Sequence, residues 1–349
     1  MSKSITEKKQ SSNTPIRTRP RMATFVLIAG IIVLILGLLL SISVGAVTIP
    51  LHTVWEAIFH YNSSNSDHTI IHELRIPRAL ADVLVGAGFA VAGAMMQGMT
   101  RNPMADSGLL GLNAGAIFMV SVCFAFFPGI SFNWTILLSF VGATMSVVLV
   151  YGIGALSRKK MTPVRLVLAG AAVSALFTAL SEGIAIFSKL SQDLAFWFSG
   201  GMVGVKWSHL EMMTPWIILG LIGALLLSRS ITILSLGDDV AKGLGQRMTL
   251  VKILGALIVL ILAGVSVSVA GPIAFVGLVV PHLVRFMVGV DYRWIIPCSA
   301  VVGGLLITIA DIGARMINAP FESPIGAIFA MIGVPFFLYV ARKEGRNLS

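Results

Sequence analysis

The stretch Met22-Ala-Thr-Phe-Val-Leu-Ile-Ala-Gly-Ile-Ile-Val-Leu-Ile-Leu-Gly-Leu-Leu-Leu-Ser-Ile-Ser-Val44 decides the fold class. Its 23 residues carry no charge. A helix needs about 20 apolar residues to cross a bilayer, whereas a cleavable secretory core takes about 7–15. The run therefore reads as a first crossing that stays attached. Ahead of it lies a polar, basic segment over residues 1–21, with Lys3, Lys8, Lys9, Arg17, Arg19 and Arg21.

The rest of the chain has the same character. Of 349 residues, 56% are hydrophobic and 11% charged, and mean hydropathy is +0.93. A soluble domain carries about 25% charged residues, so this chain cannot cover a globular surface with polar groups and a soluble enzyme is excluded. Disorder is excluded because low hydrophobicity and high charge are both missing. The net charge of +10 fits the excess of Lys and Arg that membrane proteins keep on their cytoplasmic side. It does not point to nucleic acid, since no polar surface is left to receive a phosphate backbone. Cys123 and Cys298 sit in apolar runs, with no CxxC and no disulfide framework.

Further apolar stretches lie near 79–99, 108–127, 134–156, 164–187, 211–228, 250–270, 272–289, 294–316 and 325–341, making ten with the first. They lack the alternation of a barrel strand, so they are helices, and the fold class is all-α integral membrane. Charge tests the count independently. With ten crossings both termini share one side, and placing them inside puts 20 of the 25 basic residues in inner segments. The outer segments hold Arg75, Arg78, Lys189, Lys206 and Arg315. Omitting one helix would invert every later segment and spoil this bias. The expected organisation is a cytoplasmic tail (1–21), a ten-helix body (22–342) with a cytoplasmic loop at 236–248, and a short cytoplasmic tail (343–349). Small residues such as Gly86, Gly88 and Gly93 let helices approach closely in lipid, and Pro103, Pro272, Pro281, Pro324 and Pro335 mark breaks or kinks.

Enzymatic motifs are missing. The dipeptide Gly-Lys never occurs, so there is no Walker A loop, and neither HExxH nor GxSxG is present. His52, His60, His68 and His72 fall in the outer segment 45–78 without a zinc-ligand spacing, so no metal is expected. Ionisable groups inside membrane segments are functional candidates by default. Arg78 and Asp82 are four apart, as are Asp311 and Arg315, which places each pair on one helix face. Each pair either neutralises itself or leaves its arginine, with Arg75, in an outward basic ring for an acidic partner. Glu182 lacks a local partner. The inner loop Leu236–Met248 opens with Asp238 and Asp239 and closes with Lys242 and Arg247, an order that suits a helix dipole. Such a short amphipathic helix is either a peg for another protein's groove or an ordinary loop helix on the bilayer.

At this point several segments resemble the FecCD-type permeases, the membrane subunits of ATP-driven importers for iron–siderophores, haem and vitamin B12. They are Arg75-Ile-Pro-Arg78 through Gln97, Arg101-Asn-Pro-Met-Ala-Asp-Ser-Gly-Leu-Leu-Gly111, Gly237–Gly245, Gly271-Pro-Ile-Ala-Phe-Val-Gly-Leu-Val-Val-Pro-His282, Ala310-Asp-Ile-Gly-Ala-Arg315 and Pro324–Pro335. The resemblance covers about 25–342. It implies ten helices per subunit, a second permease chain (identical or similar), a cytoplasmic ATPase and an external siderophore-binding protein. ATP is then used by the partner, and no cofactor is bound by this chain. The resemblance also implies docking arginines at Arg75, Arg78 and Arg315 and an ATPase coupling element with Gly237, Asp238, Asp239, Ala241, Leu244 and Gly245. It implies an inner gate at Asn102, Pro103 and Met104 beside Gln97. At the start of the fifth helix, where the family often has Ser or Thr, this chain has Thr162-Pro163-Val164. Met95, Met96 and Met99 are either a soft pathway wall or inter-helix packing, with packing favoured for at least two.

Two other classes compete. A proton-driven carrier would use Asp82, Glu182 or Asp311, but it needs no ATPase peg, and acids beside arginines make poor relays. A membrane enzyme needs a catalytic cluster that is missing. The expected function is import of an iron–siderophore across the cytoplasmic membrane, with haem or cobalamin as alternative cargo.

Overall fold

The computed structural model describes residues 18–45, 47–156, 163–190, 199–319 and 321–345. The basic residues before Thr18, Arg158, Lys159, Lys160, Thr162 and Arg346 lie outside them. Among the described residues the chain is helical in every named element. It runs through α1 (Pro20–Ser43), α2 (Leu51–Phe59), α3 (Ser66–Ile70), α4 (Ile76–Thr100), α5 (Leu112–Phe126), α6 (Phe132–Leu156), α7 (Pro163–Phe187), α8 (Trp207–Ser235), α9 (Asp238–Gly243), α10 (Met248–Ala270), α11 (Val276–Val288), α12 (Tyr292–Ile317) and α13 (Ile325–Gly345). Seven segments are long and apolar enough to cross a membrane: α1, α3–α4 as one unit, α6, α7, α8, α10 and α12. Three shorter apolar helices, α5, α11 and Ile325–Leu338 of α13, complete the ten expected from composition. The outer segment 45–78 is more regular than a loop. It holds α2, α3 and a π-helical turn at Ile71–Arg75, where the Ile76 N–H reaches Ile71 O. Pro77 follows and offers no N–H to the preceding turn, which favours the wider bond.

Helix α4 is the axis of the body, packing on α12, α10, α8, α11 and α1. Its glycines explain the close contacts. A Cβ at Gly86 would collide with the backbone of Gly303, and one at Gly93 with the backbone of Gly277. The two glycines are seven apart, so one face of α4 lies backbone-to-backbone on α12 and then α11. Met95 and Met96 are buried at 0% and 2% exposure and Met99 packs on Gly255. All three are inter-helix packing within this chain.

Proline makes one specific demand. Pro281 sits inside α11, so Gly277 O lacks the N–H four residues on that an α-helix supplies. Gln97, 2% exposed, fills the gap: its Nε2 donates to Gly277 O and Leu278 O, each at 3.3 Å. Its Oε1 accepts from Arg285 Nη2 at 2.9 Å, and the same nitrogen donates to Tyr292 Oη at 3.2 Å. Gln97→Leu should therefore cost about 1–3 kcal/mol, the penalty of stranding buried polar groups. The check is thermal unfolding in detergent, where an unchanged midpoint would remove this role.

Candidate functional site

The polar groups concentrate at the two ends of α4. The outer end is built from α4, α12, the C-terminus of α1 and the connection after α12. Arg78 donates from Nε to both oxygens of Asp311 (3.1 Å each) and from Nη2 to Asp311 Oδ1 at 2.7 Å. It also forms a fork with Glu322, from Nη1 to Oε1 at 2.7 Å and from Nη2 to Oε2 at 3.0 Å. Arg315 pairs with Asp311 Oδ2 at 3.0 Å. Its Nη1 donates to Ser41 O (3.0 Å) and Val44 O (2.9 Å), and its Nη2 to Ser41 Oγ (2.7 Å). Arg75 donates to Ile42 O at 2.6 Å, to Ser43 O at 2.8 Å and to Val47 O. The two arginines thus satisfy carbonyls that the end of α1 leaves without helical partners, where the dipole favours cations.

One expected pairing is replaced. Asp311 and Arg315 meet across one turn, but Arg78 reaches Asp311 and Glu322 and not Asp82. Helical side chains lean toward the N-terminus. An acid four residues before an arginine meets it, and an arginine before an acid leans away. Asp82 is 0% exposed and among the described residues no N–H or hydroxyl donates to either oxygen; its charged neighbours are Asp311, Arg78 and Arg315.

Two cavities meet at this cluster. One, about 390 Å³, is lined by Gly45, Val47, Leu74, Arg75, Arg315 and others. The second, about 60 Å³, is lined by Gly200, Gly201, Val269–Gly271 and Ser323–Ile325. Arg78, Glu322, Met202 and Val203 line both. Elsewhere on the outer side His68 is buried, with Nδ1 accepting from Asn62 N at 3.2 Å, and Trp207 Nε1 donates to His72 O at 2.8 Å. No group of three or more His, Cys, Asp or Glu stands ready for a metal ion among the described residues. Glu182 is exposed on α7.

The inner end gathers the segments assigned inside by charge. Helix α4 ends at Arg101, a non-glycine residue in the left-handed region (φ 53°). Asn102 then closes a tight turn, its Oδ1 accepting from Met104 N at 3.0 Å, and its carbonyl accepts from Ala105 N at 3.0 Å. Arg101 Nη2 lies 3.2 Å from Asp238 Oδ1, and Lys252 Nζ 3.8 Å from Asp238 Oδ2. The turn at 102–104 is thereby tied to α9. Gly237, at φ 127°, begins α9 in a conformation open to glycine, and Gly245 (φ 72°) follows it. Ala241 faces inward at 0% exposure, while Val240 and Leu244 face outward at 46% and 65%. The apolar positions therefore divide between anchoring and display. Asp291 caps α12: its Oδ1 accepts from Arg293 N at 3.0 Å, and the Arg293 guanidinium grips both oxygens. Burial would raise this carboxyl, but Arg293 and Thr232 hold it below the usual range.

The ten apolar helices among the described residues make this a multi-pass membrane protein. The chain belongs to the FecCD transport family, whose model matches residues 33–343. It is 56% identical to the Iron(3+)-hydroxamate import system permease protein FhuB of Bacillus subtilis (strain 168), over 93% of this chain and 85% of that one. It is 43% identical to the Fe(3+)-citrate import system permease protein YfmD of the same organism, over 95% and 98%. Its fold is similar to that of a metal-chelate-type ABC transporter solved in an inward-facing conformation, with a TM-score of 0.80, 26% identity and coverage of 92% and 99%. Family membership makes this a multi-pass protein of the bacterial inner membrane.

Proposed function

We propose that this chain is the membrane pathway for a ferric hydroxamate siderophore, powered by ATP hydrolysed on a separate cytoplasmic subunit. The observation that carries the cargo is the 56% identity to a hydroxamate permease across 93% of the chain, against 43% to a citrate permease. In this reading an extracytoplasmic siderophore-binding protein docks its acidic side chains at Arg75 and Arg78, while Arg315, expected to join them but 6% exposed and bound to Asp311, Ser41 and Val44, holds that surface from beneath. The ATPase receives α9, with Gly237 and Gly245 shaping it, Asp238 and Asp239 opening it, Ala241 anchoring it and Leu244 entering the partner. Asn102, Pro103 and Met104 form the inner gate, Gln97 holds that end of α4 to α11, and Arg101 carries movement of α9 to the gate. A second permease chain closes the pathway. The chain itself performs no hydrolysis.

Uptake tests the cargo. In cells lacking this permease, ⁵⁵Fe accumulation from a hydroxamate chelate should fall to background while uptake from citrate is retained. Loss of citrate uptake with hydroxamate uptake intact would overturn the assignment.

A further inference from the structure

Arg78 is the arginine whose surroundings leave a question open. Its side chain is only 13% exposed, and two carboxylates take adjacent edges of its guanidinium, sharing Nη2. Asp311, at 0% exposure, also serves Arg315, so it is locked into the helix packing. Glu322 is different. It is 32% exposed, lies 244 positions further along the chain and takes the outer half of the guanidinium as a two-point fork. That fork is the geometry by which arginine recognises a carboxylate on another molecule. Among the described residues Nη1 donates to Glu322 alone.

We infer that Glu322 is an internal occupant of the outer arginine site, standing where an acidic side chain of a docking protein would bind and displaced when that protein arrives. The inference rests on the proposed docking role of Arg78 and adds to it the group that competes for it.

The surroundings of Glu322 give the exchange a consequence. Glu322 belongs to the connection from Ile317 to Ile325, which is pinned at few points. Among the described residues Phe321 N donates to Asn318 O at 2.8 Å, Ser323 N to Ala314 O at 3.0 Å and Ile325 N to Gly200 O at 3.1 Å, and the fork to Arg78 adds a side-chain tie. Glu322 and Arg78 stand together in the wall shared by the 60 Å³ and 390 Å³ cavities. Releasing Glu322 frees this wall at the point where the chain enters α13. An incoming carboxylate would replace one fork by another, so Arg78 stays paired throughout and the exchange avoids a bare buried cation. Before docking, the site is available only for the fraction of time that Glu322 is away, which weakens apparent binding by that fraction.

The test uses the assembled transporter, with its ATPase, in lipid nanodiscs, titrated with the importer's own siderophore-binding protein. Glu322→Gln should tighten docking about tenfold if Glu322 holds Arg78 for about nine-tenths of the time. Glu322→Ser serves as a second variant and should act in the same direction. Arg78→Gln should weaken docking, and the double variant should match Arg78→Gln alone. Unchanged or weaker docking in both Glu322 variants, with Arg78→Gln still weakening it, would overturn the competition and leave the docking site standing. If Arg78→Gln has no effect, the docking reading at Arg78 fails and the competition with it.

Discussion

Arg315→Ala should destabilise the folded permease by about 3–5 kcal/mol, the usual cost of removing one partner from a buried ion pair. Arg315 is 6% exposed. It pairs with Asp311 and donates to Ser41 and Val44. Its loss leaves Asp311, already shared with Arg78, beside Asp82 in a site with one positive charge fewer. It also removes the donors to Ser41 O and Val44 O at the end of α1. Arg315→Lys keeps the charge but cannot reach Asp311, Ser41 and Val44 in the same fixed geometry, so it should fall between wild type and alanine. Thermal unfolding in detergent and the monodisperse yield check this. Wild-type values for Arg315→Ala would show that the outer cluster does not hold α1 to α12. The same geometry bears on docking experiments. Reversing Arg75, Arg78 and Arg315 together would damage the fold as well as the docking surface, so single conservative changes at Arg78 are the informative ones.

Leu244→Asp combined with Val240→Asp should abolish ATP-driven transport while leaving insertion and stability intact. Val240 is displayed on α9 and Leu244 at the residue that ends it, whereas Ala241, on the inward side, anchors the helix. A displayed apolar anchor at a protein interface is worth about 2 kcal/mol or more, so ATPase association should weaken about 30-fold. The readouts are co-purification of the ATPase and transport per ATP hydrolysed. Normal association and a normal ratio would mean that α9 is a bilayer-surface helix and that the energy enters elsewhere.

Much of this architecture is legible in the amino-acid sequence because a bilayer imposes a simple rule. Each crossing must be a long apolar helix, and charge sorts the connections. All ten expected segments appear as helices in the described residues, and Arg101, Asp238 and Lys252 meet at one end as the inner assignment requires. What stays hidden depends on distance along the chain. Local spacing suggests Arg78 with Asp82, but the partners are Asp311 and Glu322, and nothing in a helical period encodes a contact 244 positions away. The side-chain lean along a helix does separate the two i,i+4 pairs, and acid-first order is a readable signal. Gln97 has a signal too: Pro281 leaves a carbonyl without its donor, although which residue supplies one depends on how α4 and α11 cross. The division of α9 into an inward Ala241 and outward Val240 and Leu244 escapes a six-residue helix, because its two turns are too short to set a face.

The most direct test is reconstitution. The purified chain alone, the chain with its ATPase, and the full set with the siderophore-binding protein and the second permease are placed in separate vesicles, and ferric hydroxamate is followed into the lumen. Uphill accumulation should appear in the complete set alone and stop when ATP is withdrawn. Accumulation against a gradient by the solitary chain, or in the complete set without ATP, would contradict the account.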